Sequence, residues 1–441
     1  MSTLSLPSYT GEPLQLQTPS YSAEPLLHEI RISQGLRHPL ATRFSAEFIK
    51  DSKRGSLRLR LSGQENNVAI PTFGIHGPVQ GTLEVLKPEG LAFVAVRVHR
   101  GVSQSEGDRR WGTTTTVLCS EALTLWRKGV DPGPCPSSFP FSVALPTTFS
   151  DERGSWSLPP TYEAHLTGMP GFTANVDYSV TAVASKTKNV KLGLGVTTVS
   201  TPFIYYPRTR PSIMVPPRLE AINSSPGLRM SSNWRVHESL IAARIPGSSP
   251  RGVVCSFYTP ASHVWCMRHP IQYHITFTGP AVSLATLLTY MPSRTGASPI
   301  RACSRIQLLR QTTVDVKNEY TPVGATSEMW RTRNIGEGSL HRTGDGPNWL
   351  SFAGEIDVHS EVTIGGFKAA GLWVKDCIVF SIAPPDPLKG PIGDMRCVIP
   401  IRLVTDPWSP AAVHSDTFVP QASPTPSEVH STREQAGNGN S

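Results

Sequence analysis

Three short runs place a tyrosine two residues behind a proline: Leu6-Pro7-Ser8-Tyr9, Thr18-Pro19-Ser20-Tyr21 and Pro159-Pro160-Thr161-Tyr162. A WW domain binds such runs because polyproline II is preformed and costs little entropy to fix, while the tyrosine fills an aromatic-lined groove. Leu6, Pro7 and Tyr9 fit the LPxY form, Pro19 and Tyr21 supply a reduced copy, and Pro159, Pro160 and Tyr162 make the full PPxY form. Tyr9 and Tyr21 are 12 positions apart, so two linked sites would raise avidity through effective concentration. The competing readings are chance matches in Pro-rich segments and, at Tyr162, a ring packed against a sheet at the edge of a strand.

The densest set of metal-ligating types is His263, Cys266, His269 and His274. Its HxxCxxHxxxxH spacing matches no standard zinc arrangement, and strand alternation turns His274 toward solvent while Tyr273 and Ile275 face inward. No metal or other cofactor is expected. The chain has no GxSxG elbow, P-loop or HExxH helix, and Gly193-Leu194-Gly195 and Gly336-Glu337-Gly338 lack the third glycine of a dinucleotide site. A non-enzyme is expected, with a loop-assembled β-sandwich hydrolase as the alternative from another class.

Basic residues cluster at Arg54, Arg58 and Arg60, at Arg97, Arg100, Arg109 and Arg110, and at Lys186, Lys188 and Lys191. On exposed strand faces, Arg58, Arg60, Arg97, Arg100, Lys186 and Lys188 would attract phosphates on a cytoplasmic tail or on inositol lipids. A solvated face that only aids solubility is the competing reading. The net charge of +8, from 41 basic and 33 acidic residues, favours an anionic partner without selecting one. Nucleic acid is not among the partners expected.

These residues need elements to hold them, and 41 Pro with 36 Gly among 441 residues argue against a mostly helical protein. Apolar residues repeat instead with period two. Leu57, Leu59 and Leu61 alternate with Arg58 and Arg60, Ala92 to Val98 with Arg97 and His99, and Val176, Tyr178 and Val180 with polar partners. Tyr273, Ile275 and Phe277, then Cys397, Ile399, Ile401 and Leu403, repeat the pattern. Short strands punctuated by Gly and Pro predict an all-β protein of antiparallel sandwiches.

Residues 1–26 and 409–441 lack an apolar periodicity and are expected to be solvated, disordered tails. Ser409-Pro410, Ser423-Pro424 and Thr425-Pro426 offer proline-directed phosphorylation sites in the second tail. The five prolines of 202–217 predict a stiff, extended connector outside any ladder, dividing a first sandwich, 27–201, from a second, 218–408. Seven cysteines without CxxC pairs argue for a reducing compartment. With no secretory leader, and with its most apolar stretch, Ala281 to Met291, too short to cross a bilayer, the chain is expected in the cytoplasm. Glycosylation at the Asn223 sequon is accordingly not expected.

Several stretches together resemble the arrestin-like proteins of fungi, the α-arrestin type. Gly77-Pro78-Val79-Gln80-Gly81-Thr82-Leu83-Glu84-Val85 looks like the early strand pair of arrestin N-terminal domains. Ser137 to Pro146 is similar to their Pro-Phe-rich strand, and Leu158 to Tyr162 followed by Val176 to Thr181 to the pair that comes next. Thr201 to Pro211 looks like their interdomain linker, and Leu372 to Ile382 like a penultimate C-domain strand. The resemblance implies two immunoglobulin-like antiparallel sandwiches in tandem. It also implies an adaptor that engages membrane transporters or receptors and recruits a HECT-type ubiquitin ligase through WW domains, at the plasma membrane or endosomes. The family's ligase motifs lie in a long C-terminal tail, whereas residues 409–441 contain no tyrosine. The alternative within this fold is a phosphate- or lipid-binding scaffold that recruits no ligase.

Overall fold

The computed structural model describes residues 24–33, 46–106, 113–151, 153–167, 171–186, 195–219, 232–243, 252–292, 303–316, 327–386 and 390–410. Strands dominate, as the period-two patterning requires. In Leu57–Gln64 the three leucines are buried and both arginines point out, because alternate side chains of a strand take opposite faces.

The first half pairs two sheets. One runs in the order Ala46–Asp51, Leu57–Gln64, Val79–Val85, Ser138–Val143. The other runs Tyr162–Leu166, Phe172–Lys186, Leu91–Glu106, Thr113–Arg127, with Val196–Pro202 also paired to Phe172–Lys186. Leu59, Leu83 and Phe141 of the first sheet share a core with Val96, Val98 and Val180 of the second, so the sheets face each other as a β-sandwich.

In the second half, eleven strands form one sheet whose alternate residues converge. Phe257, Tyr273, Ile275, Phe277, Leu308, Phe380 and Ile399 lie on different strands and share a second core, so the sheet curls around them. The one helix among the described residues, Ala281–Leu288, occupies the apolar run and buries Leu284 and Leu287. No helix of the described residues is long and apolar enough to cross a membrane.

Two long antiparallel strands serve both cores. Ser304–Val316 gives Ile306 and Leu308 to the second core and Val314 to the first; Leu372–Ile382 gives Ile378 and Phe380 to the second and Leu372 and Val374 to the first. At about 3.3 Å per residue, this strand pair runs from one core into the other, and the zone it crosses between them is the waist of the two halves. By their contacts, the described residues up to Trp408 form one compact unit.

The proline-rich segment departs from the sequence expectation. It is extended, but it is laddered: Ile204–Tyr205 pairs in parallel with Thr72–Phe73, and Arg208–Pro211 pairs antiparallel with Glu29–Ile32. Pro202 and Pro211 stand at strand ends opposite Ser179 and Glu29, and the non-proline amides between the prolines supply the donors, as in Ile204 N to Pro71 O at 2.8 Å.

Candidate functional site at the waist

The full PPxY match lies at this waist and is packed in. Pro159 and Pro160 are buried, and the Pro159 carbonyl accepts a hydrogen bond from the Tyr178 hydroxyl. Thr161 and Tyr205 exchange two bonds, the Thr161 amide to Tyr205 O at 3.0 Å and the Tyr205 amide to Thr161 Oγ1 at 2.8 Å. Tyr162 begins a strand, sets its hydroxyl 3.1 Å from Thr312 Oγ1 and meets the Phe367 ring edge-on, centroids 5.2 Å apart. Polyproline II recognition needs the whole segment exposed. As folded, Pro159, Pro160 and Tyr162 therefore serve as interface residues and not as a WW ligand, a correction to the motif reading. Leu6, Pro7, Tyr9, Pro19 and Tyr21 lie outside the described residues.

An ionic seam surrounds this segment. Arg402 binds Glu29 at 3.0 Å and the Gly366 carbonyl; Arg208 grips Asp406; Arg153 of the first half pairs with Asp315 of the second. Thr405 Oγ1 accepts from the Thr209 amide at 2.9 Å, and its one proton is shared between the Thr209 carbonyl at 3.0 Å and Asp406 Oδ2 at 2.6 Å. Arg310 and Asp376 form a bidentate pair at 2.8 and 3.0 Å, and Arg310 also donates to the Ile364 carbonyl.

Within the seam lies a cleft of about 70 Å³, bordered by Glu29, Arg31, Tyr205, Lys368 and Arg402. That is room for roughly two waters, far below an ordinary small-molecule site. Burial lowers the Arg31 guanidinium from its usual value, which Glu29 partly restores, and pushes the Tyr205 hydroxyl up to about 12. The Lys368 ammonium lies 3.8 Å from the Trp156 ring centroid and 4.1 Å from that of Trp373. Burial lowers its pKa too, against the pull of Asp151. The arrangement ties the two halves together: Arg402 and Arg208 match Glu29 and Asp406, while the Lys368 ammonium rests on two indole rings.

The anion-binding face is not assembled as expected. Arg58 binds Asp51 at 2.7 Å, and Arg60 binds Glu47 at 2.5 Å and Glu84 at 3.0 Å, so carboxylates already neutralise that stripe. Arg100 is fully buried, inward beside Val98 and Val102, with no hydrogen-bond partner for its three guanidinium nitrogens. Its parity with Val94, Val96 and Val98 was legible in the sequence. Arg97 and Lys186 are exposed, but Arg97 pairs in register with Thr181, five residues from Lys186, about 17 Å along the strand. Lys188 lies outside the described residues.

The histidine set does not converge. His263 Nδ1 sits 3.2 Å from the Pro400 carbonyl, Cys266 is buried with its thiol directed at the Thr405 carbonyl, and His274 is buried on another strand. Among the described residues, no three His, Cys, Asp or Glu side chains are grouped to hold a metal. Sequence reasoning missed the seam residues, because the pairing of Glu29 with Arg402 has no local signature. No protein-family model matches this chain and no curated protein matches it, which leaves the chemistry of its own residues as the ground for assigning a function.

Proposed function

We propose that the chain is a non-enzymatic adaptor of the arrestin-like type: two immunoglobulin-like sandwiches in tandem that engage membrane cargo, a transporter or receptor, and recruit a HECT-type ubiquitin ligase at the plasma membrane or endosomes. The waist carries this reading. Two β cores are joined by shared strands, a laddered linker and an ionic seam around a cleft of only about 70 Å³, an architecture suited to presenting surfaces in a set orientation. The self-neutralised Arg58 and Arg60 stripe favours protein cargo over the lipid-binding alternative.

Ligase recruitment then falls to Leu6-Pro7-Ser8-Tyr9 and Thr18-Pro19-Ser20-Tyr21, since Pro159 to Tyr162 is committed to the interface. Pull-down of the full chain by isolated WW domains tests this. Tyr9→Ala and Tyr21→Ala each weaken capture and the double variant abolishes it, whereas Tyr162→Phe leaves it unchanged. Retention of full capture by the double variant, or no capture at all, sinks the ligase-adaptor function.

A further inference from the structure

Just past the strand Arg208–Pro211, the connector leaves the body of the protein for a few residues. Pro211 and Pro216 are buried, and between them Ile213, Met214 and Val215 are all exposed, Met214 to 61%. In a stretch outside any helix or strand, three successive side chains fan out in different directions, so their joint exposure means that this strap stands clear of its surroundings. Its two buried prolines pin its ends, and Pro216 keeps Val215 out of the helical region. A neighbouring turn adds a fourth aliphatic side chain. The Glu29 amide donates to the Leu26 carbonyl at 2.9 Å and His28 takes a φ of 71°, which leaves Leu27 at the tip, 81% exposed. The Ser212 amide donates to the His28 carbonyl at 2.8 Å and so holds that tip beside Ile213.

Leu27, Ile213, Met214 and Val215 thus make one apolar ridge. Residues 211–217 carry no charge, and flanking charges are matched, Glu29 with Arg402 and Arg218 with Glu355. Clustered exposed aliphatic groups rimmed by polar ones mark an interaction site. Size selects the partner. Scaled by exposure, the four amount to about two whole aliphatic side chains, whereas a stable protein interface takes roughly 20–30 residues a side. A small convex ridge is instead suited to a fluid partner that closes around it. The backbone of 213–215 lies outside any ladder and so needs water within reach, which limits entry to the hydrated boundary of a bilayer, roughly 5–10 Å deep.

We propose that this ridge inserts into the interfacial layer of a lipid bilayer, with Leu27 and Met214 entering furthest. The contact uses apolar side chains and no headgroup phosphate, so it differs from the lipid-binding scaffold weighed above. It deepens the adaptor reading by giving the chain a direct hold on the membrane beside its cargo. Vesicle binding and WW capture are read separately, so either can fail without the other.

The test is co-sedimentation of the full chain with uncharged phosphatidylcholine vesicles in about 0.15 M salt, where long-range charge is screened. The expected partition constant is about 10³ M⁻¹, below the ~10⁴ M⁻¹ of one myristoyl chain. Leu27→Ser combined with Met214→Ser weakens it ~10-fold or more. Val130→Ser removes an aliphatic group 72% exposed at a separate turn and leaves binding unchanged. All three positions face solvent, so each variant keeps the denaturant midpoint of the unmodified chain. No sedimentation at about 5 mM lipid, or equal loss in Val130→Ser, overturns the proposal. Binding that requires anionic lipid and survives the double substitution overturns it as well, by assigning the contact to net charge. Self-association of the free chain that the double substitution abolishes gives the ridge to a second copy, and the bilayer assignment fails.

Discussion

Arg310 and Asp376 stand directly opposite each other on the two strands that serve both cores, at the level where inward side chains change from one core to the other. Their side chains are 9% and 1% exposed, and two parallel hydrogen bonds join them. A strand pair shared by two cores must pass through a zone belonging to neither, and here that zone is filled by a matched ion pair.

Breaking that pair from one side leaves the other charge buried and unmatched. Asp376→Asn or Arg310→Met is expected to cost about 3–5 kcal/mol, while Arg310→Met combined with Asp376→Leu recovers most of the loss. Urea unfolding of the four proteins, analysed as a double-mutant cycle, measures this. Additive losses would show that the two side chains act separately.

Asp406 makes the seam sensitive to acid. Burial alone would raise its carboxyl, but hydrogen bonds from Arg208 and Thr405, with the charges of Arg208 and Arg210, outweigh burial and hold it below the usual carboxylate range. The unfolded chain therefore takes up the proton first. The contribution is complete above about pH 4 and is lost as pH falls through the folded value. Asp406→Asn should cost about 2 kcal/mol at pH 7, and its difference from the unmodified chain should shrink below about pH 4. Denaturant midpoints at neutral and acid pH check the sign; a gap that widens in acid contradicts it.

Lys368 belongs to the second half and Trp156 to the first, so their contact bridges the seam. Lys368→Met keeps the aliphatic stem and removes the charge between two indoles. A loss of about 1–2 kcal/mol is expected, with a change in tryptophan emission. Unaltered emission and stability would show that the ammonium contributes nothing there.

Gly365 has no room for a side chain, since a Cβ would strike the Leu403 carbonyl well inside contact distance. Gly365→Ala is expected to cost about 1–3 kcal/mol by forcing backbone apart beside the cleft. Gly101→Ala is the control, because the nearest atom to its Cβ would be at 3.7 Å. Equal thermal shifts in the two variants would refute the steric account.

The strands were readable from local pattern, because a side chain's face in a strand depends only on its parity. Leu57 to Leu61, Val176 to Val180 and Ile399 to Leu403 are buried on alternate positions as their spacing demands. Parity also put Arg100 inward, although its charge suggested a surface role. Proline density was a poorer guide: it set the extended conformation of 202–217, but Ile204 and Thr209 still found partners.

By itself, then, the sequence determined which segments extend and which face of each turns to a core. Only the tertiary structure decided what those faces meet. Tyr162 became an interface residue because Thr312 and Phe367, 150 and 205 positions away, close over it; His274 was turned outward by parity but buried by its surroundings. Glu29 and Arg402 are 373 positions apart and are paired only by the long-range closure of the fold. Parity is a property of adjacent residues, whereas burial and pairing depend on long-range closure, which no short stretch of chain contains.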